Sequence, residues 1–337
     1  MKINNAVILL TFLLFTILCS FKFKSTTSFQ DEPAGKNKLK AKNLKICVIS
    51  DLNSGYGSTS YSKDVESVIN QLNLIKPDII LCAGDMIAGQ KSSLSEENIN
   101  SMWDSFKSTV LNPVQNLTIP FGFTVGNHDA SPSYLVDRKL SQKFWKDNIQ
   151  ATGLDFVDSS HYPFYYSFIK SNIFFISWDA AGAKVNPEVF DWMKTQLNSK
   201  LAKKARLKIL IGHLPLYAIV DSKNKAGEVN SNPEAALSFF KKYGIDLYIS
   251  GHQHAYYPAI KEGIRFLNAG CLGEGPRSLI GSTSEAVKTY TLIEVPRRKP
   301  EKFSYKTFKP NNKDEIDLIS LPDSIIGFNG TSIKEKH

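Results

Sequence analysis

The chain has 337 residues, 42% of them hydrophobic and 22% charged. These are ordinary globular values, with ample length for a buried core, and they exclude a chain disordered through its middle. The net charge of +9 sits largely in Lys36, Lys38, Lys40, Lys42 and Lys45 and in Lys200, Lys203, Lys204, Arg206 and Lys208. We read these as a lysine-rich linker and a solvated helix face. No basic stripe interleaves with aromatics, so nucleic acid is not the expected partner.

In chain order, Lys2 precedes an uncharged apolar run over residues 6–21. A basic start before such a run reads as a secretory signal or membrane anchor, here residues 1–24. The run is shorter than the roughly 20 residues that comfortably span a bilayer. No small-x-small cleavage site follows, and Thr16-Ile17-Leu18 before Cys19 is a poor lipobox. Lys22 and Lys24 follow the run directly and favour retention inside. The expectation is a protein that is exported or membrane-anchored: periplasmic, extracellular or membrane-associated. Residues 25–44, polar and without apolar period, form a linker. Residues 45–309 are expected to be the folded domain, and residues 310–337 a polar C-terminal tail with one apolar island.

Within the domain, strands are predicted over residues 45–50, 78–83, 121–125, 207–211, 247–250 and 264–268. Helices are predicted over 63–74, 98–111, 140–150, 187–205 and 233–243, from apolar residues at helical spacing. Residues 164–169 and 173–178 flank Lys170-Ser171-Asn172 as a hairpin. Buried strands alternating with helices, with antiparallel hairpins inserted, imply an α/β domain of mixed sheets. Cys47 and Cys82 lie inside apolar runs, and no CxxC pair exists, so cysteine zinc sites are excluded.

Five segments end predicted strands in metal-ligand residue types: Asp51-Leu52-Asn53, Gly84-Asp85, Gly126-Asn127-His128-Asp129, Gly212-His213 and Gly251-His252-Gln253-His254. Four of the six histidines lie in them. Each segment alone is weak, because Gly-Asp is a common turn and a lone histidine is more often structural. Their order and context together are hard to obtain by chance. Carboxylates, imidazoles and an amide oxygen suit hard-to-borderline divalent metals, and carboxyl ends of strands are where open α/β sheets bind ligands.

With these segments the chain resembles the calcineurin-like metallophosphoesterase superfamily over residues 45–275. Tyr165-Tyr166-Ser167-Phe168, Gly212-His213-Leu214-Pro215-Leu216-Tyr217 and residues 251–256 are similar to the branch holding purple acid phosphatases and related phosphodiesterases. The implied fold is two mixed β-sheets packed as a sandwich flanked by helices, in four layers, with the metals at one sheet edge. The resemblance implies two divalent ions (Mn, Fe or Zn). Asp85 would bridge them, Asp51 and His254 would hold the first, and Asn127, His213 and His252 the second. It implies hydrolysis of a phosphate mono- or diester by a bridging hydroxide. His128 would be the general acid, oriented by Asp129. The expected partner is a small-molecule or nucleotide phosphate ester.

One position departs. The family has histidine at the third place of the first motif, and this chain has Asn53; the tyrosine by which purple acid phosphatases compensate is replaced by Ala88. Asn53 could offer an amide oxygen, or water could fill the place. A harder, weaker first site would follow, favouring manganese or magnesium over zinc. The alternative function is a membrane-tethered metal- or phosphate-binding module with weakened or lost catalysis; the presence of His128 and Asp129 argues against it. Specificity is expected from residues 54–60, 130–135 and 272–278.

Overall fold

The computed structural model describes residues 43–311 and 314–336. The N-terminal apolar run and the linker up to Lys42 lie outside the described residues. Among the described residues no helix is long and apolar enough to cross a membrane. The strands are β1 Leu44–Ile49, β2 Ile79–Cys82, β3 Phe121–Phe123, β4 Asp155–His161, β5 Tyr165–Lys170, β6 Ile173–Ser177, β7 Lys208–Ile211, β8 Leu247–Ser250, β9 Tyr256–Lys261, β10 Ile264–Ala269, β11 Tyr290–Val295, β12 Ser304–Phe308, β13 Ser324–Gly327 and β14 Gly330–Lys334. They form a five-stranded sheet in the order β12-β11-β1-β2-β3 and a nine-stranded sheet in the order β13-β14-β9-β10-β8-β7-β6-β5-β4. β1, β2 and β3 run parallel, as do β6, β7, β8 and β10.

The parallel strands are continuous apolar runs because both of their faces are covered. In β6 the period of two sorts the side chains. Ile173 and Phe175 enter the core shared by the two sheets, while Phe174 and Ile176, with Trp178 beyond the strand end, enter a second core. Val65, Val68, Ile99, Met102, Trp103 and Leu140, from helices Lys63–Asn70, Glu96–Phe106 and Leu135–Asp147, join the first core. Val189, Met193, Leu237 and Phe240, from helices Pro187–Leu197 and Pro233–Tyr243, join the second. The layers are helix, sheet, sheet, helix, as expected.

Local signals account for where helices stop. The helical spacing over residues 187–205 spans two helices, because Ser199 accepts from the Ala202 amide and starts a new one, Lys200–Lys204. That over 63–74 is interrupted at Gln71. The segment after Lys309 supplies β13 and β14, and β14 pairs with β9 in the register Ile333↔Ile260. Glu335 is buried there, pairs with Arg265 and accepts from Tyr305. Arg265 also donates to the Phe303 carbonyl and lies over its ring at 3.7 Å, so it belongs to this anchor.

An aromatic cluster sets the position of β3. The Trp145 ring stacks on Phe123 at 3.7 Å between centroids and meets Trp103, Phe106 and Phe144. β3 leads directly into Gly126-Asn127-His128, so this cluster fixes the third ligand segment. Trp145→Ala is expected to cost about 3–5 kcal/mol in urea unfolding of the folded chain; a loss below about 1 kcal/mol would contradict the role given to the cluster.

Candidate metal centre

Asp51, Asp85, Asn127, His213 and His252 follow the carboxyl ends of β1, β2, β3, β7 and β8, and His254 follows His252. The two sheets therefore contribute to one centre. Two groups converge there, Asp85 with His213 and His252, and Asp51 with Asp85 and His254. The ligand atoms of each lie within 4.8 Å of one another. Asp85 belongs to both.

The chain turns sharply to point these side chains inward. Asp51, Asp85, His252 and His254 have φ of 49°, 55°, 66° and 54°, a left-handed conformation that costs non-glycine residues energy and concentrates at functional sites. Surrounding hydrogen bonds hold it. The Asp51 amide donates to the Gly84 carbonyl at 2.9 Å and the Leu52 amide to Asp85 O at 2.8 Å. The His252 amide donates to the Asp51 carboxylate at 3.0 and 3.1 Å, and the His128 amide to Asp85 Oδ1 at 2.9 Å. Gly126 and Gly251 are needed for closeness: a Cβ on either would strike the carboxylate of Asp85 or of Asp51.

The polar atoms at the centre are acceptors facing acceptors. His213 Nδ1 lies 2.7 Å from the Ala83 carbonyl and so carries the hydrogen. That leaves the Nε2 lone pair 3.0 Å from Asn127 Oδ1 and 3.1 Å from Asp85 Oδ2. The Asn127 amide nitrogen donates to Gln90 Oε1 at 2.6 Å, which turns Oδ1 inward. His252 Nε2 lies 2.7 Å from Glu228 Oε2, leaving Nδ1 2.8 Å from Asn127 Oδ1. His254 Nδ1 faces the carbonyls of Glu274 and Gly275 at 3.1 and 3.0 Å, leaving Nε2 3.2 Å from Asp51 Oδ1. Each imidazole is fixed from behind by an acceptor, the usual support of a metal-binding histidine. Opposed lone pairs of this kind require a proton or a cation between them. Carboxylate, imidazole and amide oxygen together fit divalent transition ions.

Protons can stand in for the cations. Burial alone disfavours charge on His213, but the Asp85 carboxylate outweighs it and lifts the imidazole to about 9. Burial would likewise raise Asp85; His213 and then His128 outweigh it and hold the carboxyl well below its usual range. Burial pushes His252 down to about 3, so it is neutral, and its hydrogen bond holds Glu228 at about 2. A metal ion bound at His213 Nε2 would have to displace the proton that is present there below about pH 9. Metal affinity is therefore expected to fall as pH drops below that value, with about one proton released on uptake at pH 7. Calorimetry in two buffers of different ionisation enthalpy reads this directly; uptake without proton release would contradict it.

His128 lies beside this centre. Its Nδ1 is held by the Gly89 carbonyl at 3.0 Å, and its Nε2 is 4.0 Å from Asp85 Oδ2. Asp129 was expected to orient this imidazole, and the structure corrects that. Its carboxylate accepts instead from the amides of Gly126, Met86 and Ile87 at 2.7, 2.8 and 3.0 Å, tying the third segment to the second. Burial and the Asp85 charge push that carboxyl up against the pull of the amides. Asn53 is buried beside the first group, its amide donating to Asp85 O at 3.3 Å and its carbonyl accepting from Glu274 at 3.0 Å.

A cavity of about 550 Å³ opens over His128, Asn127 and His252. Tyr56, Ser131, Ser133 and Arg277 line it, so each of the three expected specificity loops contributes. The sequence reading missed Gln90 and a fourth loop, from which Ser222, Lys223, Gly227 and Glu228 also line the cavity. Nothing in that polar stretch distinguished it from ordinary surface. Lys223 Nζ lies 3.2 Å from each ring nitrogen of His252 and 3.5 Å from Glu228 Oε2. Burial, then the Arg277 charge, hold the Lys223 ammonium below the ordinary lysine range.

The family model for calcineurin-like phosphoesterase matches residues 44–256, which contain every converging ligand. The chain belongs to this family. A phosphoenolpyruvate phosphatase of Allium cepa is 26% identical over 62% of this chain and 40% of its own length; the chain thus spans well under half of that relative. Purple acid phosphatase PPD1 from yellow lupin (Lupinus luteus) seeds superposes with a TM-score of 0.61 at 15% identity, over 82% of this chain and 53% of that one. GAP50, the anchor in the inner membrane complex of Plasmodium, superposes with a TM-score of 0.52 at 15% identity, over 88% and 90%. Both share the fold of this member of the calcineurin-like phosphoesterase family.

Proposed function

We propose that the chain is a metal-dependent hydrolase of phosphate mono- or diesters that works with two divalent ions. The observation that carries this reading is the pair of ligand groups sharing Asp85. Asp51 and His254 would hold one ion with Asp85, and Asn127, His213 and His252 the other. The first group has one imidazole and two carboxylates, with Asn53 or water to complete it, which favours manganese or magnesium there; the second suits zinc or iron as well. Bound in such a pair, the ions supply a hydroxide nucleophile at neutral pH and stabilise charge on the phosphoryl oxygens.

The chain's own residues do the rest. Asp85, shared by both groups, would offset repulsion between two dications. Gln90, Glu228 and the Ala83 carbonyl hold Asn127, His252 and His213 in ligating orientation. His128, anchored through Nδ1, has Nε2 left to protonate the departing ester oxygen. The phosphatase names of the Allium cepa and yellow lupin proteins support the reading. The N-terminal segment, from Lys2 through its apolar run, is proposed as the export signal or membrane anchor.

A phosphoesterase panel with added Mn, Zn, Fe and Mg tests this. Asp85→Asn is expected to lose most bound metal and nearly all activity. His128→Ala is expected to keep the metal and lower kcat by roughly 10²–10⁴-fold, more for alkyl than for nitrophenyl esters. Two ions per chain in the Asp85 variant would defeat the assignment, and equal losses for both leaving groups would defeat the acid role.

A further inference from the structure

We propose that Lys223 and Arg277 form a subsite for a second anionic group of the substrate, so that the preferred phosphate esters also carry a carboxylate or a further phosphate. This rests on the phosphoesterase reading and names its substrate class.

Both cations line the cavity that opens on Asn127, His128 and His252. Its volume of about 550 Å³ suits a whole small molecule and not a phosphoryl group alone. Arg277 is fixed through its backbone, whose amide donates to the His254 carbonyl at 3.0 Å. Its guanidinium Nη1 is buried without a hydrogen-bond partner. A charged donor left unmet in this way is costly, and turning the guanidinium toward an anion in the cavity would remove that cost. Lys223 is not an ordinary surface lysine, since its side chain is only 14% exposed.

The one carboxylate of this wall does not neutralise both cations. Glu228 Oε2 lies 2.7 Å from His252 Nε2 and 3.5 Å from Lys223 Nζ, so its closer partner is the imidazole. Glu228 is the one carboxylate among the residues lining this cavity, so the wall itself holds two cations against one anion, with Asp85 and Asp51 acting on Lys223 from the ligand groups. Lys223 offers a point charge and Arg277 a planar fork, a combination suited to carboxylate and phosphate oxygens.

Matched pairs test this on the metal-loaded full chain. Phosphoglycolate and ethyl phosphate differ by the carboxylate, as do phosphonoacetate and ethylphosphonate, which bind without being hydrolysed; pyrophosphate against phosphate probes a second phosphate. The wild type is expected to favour the anion-bearing member of at least one source by about 10- to 100-fold, in kcat/KM for the esters and in calorimetric affinity for the analogues. Arg277→Gln and Lys223→Met are each expected to cut that ratio about tenfold. A wild-type ratio near one for every pair would overturn the proposal without any variant needing to fold. So would a ratio kept in both folded variants. Hydrolysis of neither ester nor of any mono- or diester in the panel, with discrimination retained in the calorimetry, would sink the phosphoesterase reading and leave the subsite standing.

Discussion

Lone pairs meet around Asp85, and the surroundings of the centre are built about that meeting. His213 Nε2 lies 3.0 Å from Asn127 Oδ1 and 3.1 Å from Asp85 Oδ2, with the Nδ1 hydrogen of His213 and the side-chain NH2 of Asn127 already donated outward. Such an arrangement is unfavourable unless a positive charge enters it. The surroundings are built to keep it so. Ala83, Glu228 and Gln90 hold the outward atoms, three backbone amides hold Asp129, and four ligand residues sit in left-handed conformations that a relaxed chain would leave. A cation entering there would take the place of the proton that His213 holds below about pH 9.

The fold makes the meeting possible by bringing two sheets together at their carboxyl ends. Asp51, Asp85 and Asn127 come from the smaller sheet, His213, His252 and His254 from the larger. The His213 hydrogen bond to Ala83 and the His252 amide on Asp51 cross between the two. The aromatic cluster around Trp145 and the anchor of Glu335 on Arg265 act at a distance from the centre. The first sets β3, and the second ties the end of β14 to β9 and β10 of the larger sheet.

Much of the centre was legible in the sequence because ligand types at strand ends are unusual and their strands are strongly apolar. β1, β2, β7 and β8 read correctly for that reason, and so did the hairpin of β5 and β6. β4 did not, because Asp155–His161 is polar and largely exposed; nor did β13 and β14, which carry too few buried side chains for a clear period; β9, β11 and β12 were also not predicted, although β9 and β11 are mostly buried. What the sequence could not carry was direction. Asp129 follows His128 in sequence, yet its carboxylate turns back to the amides of Gly126, Met86 and Ile87. Lys223 and Glu228 reach the centre only because a polar loop folds over it, and no spacing encodes that.

The account stands on Asp85 joining two ions. Anomalous scattering from crystals of the manganese-loaded protein tests this most directly. The account predicts two peaks per chain that share the Asp85 carboxylate, one also touching Asp51 and His254, the other Asn127, His213 and His252. A single peak, or a pair in which either lies out of reach of Asp85, would contradict it.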